Sequence, residues 1–193
     1  MENTTLNNHT LETYLELEAN ADNKYELYNK FIRAKSGSTP LHGELTANLI
    51  TALNLALRSA GKTCKTYTSD VKVSIEPANV RCYPDLTVVC GDAVFDKMER
   101  RAITNPQIVV EILSDETEIL DRGDKFRAYR QLPSMREYIL VSQHQYLVEV
   151  FSRTSEGSWH IMESTSIDGI IPLISMDVQL NMRDIYFGVK LEA

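Results

Sequence analysis

Glu111 stands inside Ile108-Val109-Val110-Glu111-Ile112-Leu113, a run of otherwise aliphatic side chains that belongs in a core. An isolated carboxylate in such surroundings costs several kcal/mol, so it must be protonated, paired with a base or bound to a cation. Taken alone, it is equally well a structural ion pair or an edge position open to water. Asp85 follows Pro84 at the start of Leu86-Thr87-Val88-Val89-Cys90. Proline is accepted at the first residue of a strand, so the dipeptide sets a carboxylate at a strand's beginning or, more plainly, in a turn. If the two apolar runs are neighbouring strands, the two carboxylates converge. Hard divalent ions such as Mg²⁺ take one or two carboxylates plus water, and the chemistry of such a pair is metal-assisted hydrolysis.

Three further residues have types that suit the same chemistry. In a helix over 117–131, Asp121, Lys125 and Tyr129 form one i, i+4 stripe, and Phe126 and Tyr129 mark its inward side. Lys125 is then either half of a surface pair with Asp121 or a base bordering the site, where it would orient or deprotonate an attacking water. Glu26 alternates with Tyr25 and Leu27 and faces away from them, as a solvated strand residue also would. His42 follows Pro40-Leu41 at the start of a helix, on the surface or in the site. His9, His144 and His160 have no ligand spacing and receive no role.

The elements that must position these groups follow from periodicity. Thr10 caps a short helix through about Glu18, with Leu11, Tyr14 and Leu15 on one face. KYELYNKFIRAKS reads as two strands around a turn at Tyr28-Asn29-Lys30. From Pro40, the spacing of Leu41, Leu45, Leu49, Ala52, Leu53, Ala56 and Leu57 predicts a long helix that stops near Gly61. Val71, Val73 and Ile75 alternate with Asp70, Lys72 and Ser74, which predicts a half-buried strand. The runs 86–90 and 107–113 are nearly continuous and predict central strands covered on both faces, joined by a polar loop or short helix. After the helix over 117–131, stopped by Pro133, strands are expected at 137–141, 146–151 and 158–163, with turns at Gln143-His144 and Glu156-Gly157. This order predicts a mixed α/β (α+β) fold, a central sheet flanked by helices, and not a βαβ-repeating Rossmann fold.

The chain of 193 residues carries no internal repeat or linker and reads as one domain over 1–193. Its 43% hydrophobic and 24% charged residues exclude disordered, collagenous and disulfide-scaffold classes. The polar N-terminal MENTTLNNHT and the lack of a long apolar run predict a cytoplasmic protein with no membrane partner. Cys64, Cys82 and Cys90 are odd in number and lack CxxC spacing, so reduced thiols are expected. Twenty basic against 27 acidic residues give a net charge of −7, which excludes a sequence-blind grip on nucleic acid by counterion release. Residues 122–136 are different, with Arg122, Lys125, Arg127, Arg130 and Arg136 against Asp124 alone. A local metal-centred site beside a basic helix therefore remains open, with weak DNA affinity expected without metal. The bland alternative for those arginines is a solvated helix face.

The ordered set YEL near 25, PxxHG at 40–43, PDLTVV at 84–89, VVEIL at 109–113, DRGDKFRAY at 121–129 and EYILV at 137–141 resembles the Uma-two family of restriction-endonuclease-like proteins. That family is a branch of the PD-(D/E)XK nuclease superfamily, and the similarity runs from TLETYLEL to DIYF. On this resemblance Asp85 matches the PD acid and Glu111 the following acid, while Leu113 stands where the superfamily has a lysine. Lys125 matches the lysine that the family places on the next helix, and Glu26 and His42 match its strand acid and helix-start histidine. Two departures are Ser114-Asp115-Glu116-Thr117, where a Ser-Pro-Ser-Thr type of segment is usual, and Asn29-Lys30, where Asp-Gly is usual. The resemblance implies a restriction-endonuclease-like core and Mg²⁺-dependent (or Mn²⁺-dependent) hydrolysis of DNA. It implies Asp85, Glu111 and the Ile112 carbonyl as metal ligands, with Lys125, Glu26 and His42 as further catalytic residues.

Two rival classes are a binding module for nucleic acid or protein on a nuclease fold without turnover, and a hydrolase of small phosphoesters. A glycosidase also uses two carboxylates, but a single Trp offers no sugar platform and ranks it last. A twofold homodimer would present two sites to two strands.

Overall fold

The computed structural model describes residues 6–7, 9–35 and 37–191. Most of the polar N-terminal stretch MENTTLNNHT lies outside them. The chain opens with β1 (Leu6–Asn7) and α1 (Leu11–Asn20), whose N-cap Thr10 accepts from the Thr13 N–H. β2 (Tyr25–Tyr28) and β3 (Phe31–Ala34) form the expected hairpin, with Asn29 in the left-handed conformation at φ 60°. α2 (Pro40–Ser59) begins at the capping Thr39, buries Leu45, Leu49, Leu53 and Leu57 along one stripe, and is followed by Gly61 at φ 68°.

β4 (Cys64–Thr68), β5 (Lys72–Ile75), β6 (Val80–Cys82), β7 (Leu86–Cys90), β8 (Ala102–Ile103) and β9 (Ile108–Leu113) follow. A helical segment comprises α3 (Glu118–Leu120), a π turn over Asp121–Lys125 and α4 (Phe126–Tyr129). β10 (Glu137–Ser142), β11 (Val148–Arg153), β12 (Trp159–Ser164), β13 (Ile170–Leu173), β14 (Val178–Asn181) and α5 (Met182–Ile185) complete it.

The central sheet has the order β12-β11-β10-β9-β7-β4, with β9 parallel to β10 and antiparallel to β7. Even-numbered residues of β9 (Ile108, Val110, Ile112) pack with α2, the β13–β14 ribbon and α5. Odd-numbered Val109 and Leu113 pack with Tyr129, Leu132, Met135 and the residues Val73, Ile75, Val80 and Cys82 of a second sheet. That second sheet has the order β1-β3-β2-β6-β5-β8. Both faces of β9 are thus covered, which is why its sequence is almost uninterruptedly apolar. Among the described residues no helix is long and apolar enough to cross a membrane.

Three local expectations need correction. β5 is not half-buried, because Lys72 and Ser74 are as buried as Val73 and Ile75. Their face is covered by carboxylates: Lys72 pairs with Glu18 and Glu99, and Ser74 donates to Asp96. The helix over 117–131 is interrupted rather than continuous. Gly123 lies in its widened turn, and the Tyr138 hydroxyl donates to the Asp121 carbonyl at 2.9 Å. Finally, Cys64 and Cys90 are not reduced thiols but a disulfide, joining residues that face each other across β4 and β7. Their separation of 26 residues conceals this adjacency. Cys82 is the free cysteine and is buried.

In urea without reductant, one thiol per chain should react with a thiol reagent, rising to three after reduction; three without reductant would exclude the cross-link. Reduction should lower the unfolding free energy by about 2–4 kcal/mol.

Candidate active site

The β7–β9 ladder pairs Leu86 with Val110 and Thr87 with Val109. One step further along that register, Asp85 and Glu111 face each other at the end of the ladder. The Asp85 N–H donates to Glu111 Oε2 at 3.4 Å, and the Ile112 N–H donates to Asp85 Oδ2 at 2.8 Å. The two apolar runs, whose adjacency was only a condition for convergence, are neighbouring strands, and both carboxylates are buried.

Glu111 is compensated from the helical segment. Lys125 Nζ lies 3.1 Å from Glu111 Oε2 and 2.6 Å from Asp121 Oδ1, with Lys125 and Asp121 buried as well. The π turn presents both residues to the sheet, where an ordinary surface pair would have faced water. The Tyr129 hydroxyl approaches Glu111 Oε1 at 3.4 Å and is itself 3.0 Å from Cys82 Sγ. Burial pushes Glu111 up to about 8 against the opposing pull of Lys125. Burial also opposes the Lys125 charge, but Glu111 and Asp121 outweigh it and hold the ammonium well above its ordinary value.

Asp85 is treated differently. Burial raises it, but a hydrogen bond from His42 and the charges of Lys35 and Lys125 outweigh burial and hold it below its usual value. His42 Nε2 is 3.1 Å from Asp85 Oδ2, and the first turn of α2 carries the ring there. Two carboxylates side by side are thereby pushed apart in acidity, as in sites that perform acid–base or metal chemistry.

Glu26 is buried rather than solvated. Its Oε1 accepts from the Tyr83 N–H at 2.8 Å, two residues before Asp85, and its Oε2 accepts from the Tyr28 hydroxyl at 3.1 Å. A cavity of about 220 Å³ brings Glu26, His42, Asp85, Glu111, Ile112 and Lys125 onto one surface. It also brings in Arg33 and Lys35 of the β3 strand and its end, and Gln143 after β10, which the sequence reading missed. The available signal was alternation: Arg33 pairs across the hairpin with Glu26, and Lys35 lies two residues on, on the same face. The basic helix is less free than its composition suggests. Arg122 is paired with Glu118 and Glu149, whereas Arg127, paired with Asp124, and Arg130 are exposed as expected.

Among the described residues no three His, Cys, Asp or Glu side chains form a ready-made metal cluster. The donors present are the carboxylates of Asp85 and Glu111, and Ile112 lines the same cavity. The cavity wall carries Glu26, Asp85, Glu111, Asp115 and Glu116 against Arg33, Lys35 and Lys125. That excess of acid suits a hard divalent ion that retains several waters.

A family model described as "Uma2: Putative restriction endonuclease" matches residues 11–183. The chain belongs to this family. Two Synechocystis proteins, both called uncharacterized, are similar to it across most of their length. The protein slr1290 is 31% identical over 92% of this chain and 91% of its own. The protein sll1609 is 30% identical over 80% of this chain and 86% of its own. A crystal structure from Anabaena variabilis, described as a "putative nuclease belonging to DUF820", superposes with a TM-score of 0.72. It covers 92% of this chain and 97% of that one at 14% identity, which supports the shared fold.

The acidity of Glu111 has a consequence for stability in metal-free buffer. Its folded value of about 8 lies above that of an unfolded glutamate. Its contribution is therefore fully present below the unfolded value and lost as pH rises through about 8. With EDTA present, the urea midpoint of the wild type should fall more steeply between pH 5 and 8.5 than that of Glu111→Gln; equal slopes would assign the effect to other groups.

Proposed function

We propose that this Uma2-family protein is a metal-dependent endonuclease that hydrolyses phosphodiester bonds in DNA. The observation that carries the reading is the convergence of Glu26, His42, Asp85, Glu111, Ile112 and Lys125 on one cavity from five separate parts of the chain. Asp85, Glu111 and the Ile112 carbonyl would hold Mg²⁺, with Mn²⁺ as a substitute. When bound, such an ion polarises a phosphate oxygen and lowers the pKa of bound water.

The protein's own groups have separable tasks. Asp85, kept ionised by His42 and Lys35, presents a permanent charge at the cavity. His42 fixes the orientation of that carboxylate through Nε2. Lys125 balances Glu111, and its ammonium, on the cavity wall, would face a water or the negative charge that develops on phosphorus. Glu26 holds the Tyr83 N–H and so sets the path of the Tyr83-Pro84-Asp85 segment. From the cavity wall it would also serve the water shell of a bound ion. DNA is the proposed substrate, and a twofold dimer would place two such sites on two strands.

A silent binding module has one specific observation in its favour. Leu113 is buried in the core, so no lysine replaces the superfamily residue from the same strand. Turnover separates the two readings. Purified protein should cut supercoiled, linear or single-stranded DNA with Mg²⁺ or Mn²⁺ and not with EDTA. Asp85→Ala and Glu111→Ala should each lower the rate by more than about a hundredfold, the upper range for groups that only support a metal ligand. Lys125→Ala should lower the rate by about 10²–10³ while changing metal affinity less. Cutting that survives both carboxylate variants would refute the site; no cutting by the wild type under any condition would favour the binding module.

A further inference from the structure

We propose that Arg33 and Lys35 form a phosphate-binding subsite on the cavity wall, and that it holds a phosphate of the polynucleotide backbone while the carboxylates serve the cation. The inference rests on the endonuclease reading of the same cavity. It adds which residues grip the substrate and by which group.

The hairpin dictates where these bases point. On β3, Ile32 is buried in the small core with Tyr14 and Leu27, so the alternate residues Arg33 and Lys35 share the opposite face. That face lines the cavity. Arg33 is pinned there, with only 14% of its side chain exposed. Among the described residues its guanidinium has no hydrogen-bond partner, and its Nε is fully buried without one. Glu26 Oε2 is the carboxylate in range, but at 4.0 Å it is too far for a hydrogen bond. The Glu26 oxygens are engaged by the Tyr83 N–H and the Tyr28 hydroxyl.

A guanidinium carries five donors in a planar fork, and buried donors left unmet are costly. The partner that matches the fork bidentately is a carboxylate or a phosphate. Lys35 reinforces the second. Its Nζ donates to the Tyr83 carbonyl at 2.8 Å and lies 3.7 Å from Asp85 Oδ1, which leaves donors directed to the cavity beside the proposed cation site. A group bound there would bear negative charge on the side of Arg33 and Lys35 and meet a cation on the side of Asp85, as a phosphodiester does. The cavity of about 220 Å³ is smaller than the roughly 300–1,000 Å³ that encloses a drug-sized ligand. It therefore takes a phosphate with its adjoining sugar rather than a base pair.

Calorimetry on the full chain in EDTA tests binding apart from cleavage, with a 5′-phosphorylated dinucleotide, the same dinucleotide with a methylphosphonate linkage and no 5′-phosphate, and inorganic phosphate as probes. The phosphorylated dinucleotide should bind the wild type more tightly than the neutral one. Arg33→Gln and Lys35→Gln should each weaken it by roughly ten- to a hundredfold, with Arg33→Lys in between. In cleavage assays the same variants should raise KM more than they lower kcat. No binding by the wild type, equal binding of charged and neutral dinucleotides, or full affinity in Arg33→Gln would overturn the subsite even if DNA is cut. Equal affinity for inorganic phosphate would overturn its assignment to a polynucleotide. Arg33-dependent binding in a protein that cuts no DNA would keep the subsite and remove the endonuclease reading. If Arg33→Gln does not fold, the charged and neutral probes on the wild type decide the matter.

Discussion

Burying Glu111 in a strand enclosed along its whole length is the constraint around which the site is arranged. The carboxylate is buried on a face shared with Val109 and Leu113. Lys125 meets the charge, but a buried lysine needs its own compensation, and Asp121 supplies it at 2.6 Å. Bringing both residues to the sheet accompanies a widened turn in the helix, with Tyr138 capping the Asp121 carbonyl. A half-satisfied buried charge is expensive, so removing one member of such a group leaves the others exposed to the full desolvation cost. The arrangement is rigid for the same reason.

Around this centre the two sheets have distinct tasks. The central sheet supplies Asp85 and Glu111 from adjacent antiparallel strands, so their spacing is set by backbone hydrogen bonding. The second sheet supplies Glu26, Arg33 and Lys35 from one hairpin face, and the start of α2 supplies His42. Glu26 and Lys35 both bind the backbone of Tyr83, one through its N–H and the other through its carbonyl. The Tyr83 hydroxyl donates to Glu18, which also pairs with Lys72. Asp85 therefore stands on a segment fastened on both sides, a property that rigid functional sites require of their supporting groups.

Much of this was legible because the relevant residues broke local rules. Glu111 in an aliphatic run and Asp85 after a proline each have a bland reading alone, and they signal a site only together, on the condition that their strands are neighbours. Lys125 was legible through the i, i+4 stripe with Asp121. Arg33 and Lys35 were not, because basic residues alternating on a short hairpin strand are what an exposed strand also shows. The burial of Lys72 and Ser74 was hidden for the same reason, since the alternation of β5 cannot reveal a face covered by carboxylates of α1 and the loop before β8.

The sequence by itself determined the periodic elements, the long helix with its leucine stripe, the central strands and the identity of the two conflicting carboxylates, because each of these is a local pattern of side-chain type. Only the tertiary structure decided the second sheet, the disulfide between Cys64 and Cys90, the paired state of Arg122, and which charged residues of the hairpin face the cavity. These depend on contacts between segments far apart in the chain. Whether a polar side chain meets water, a counter-ion or a cavity is set by what folds over it.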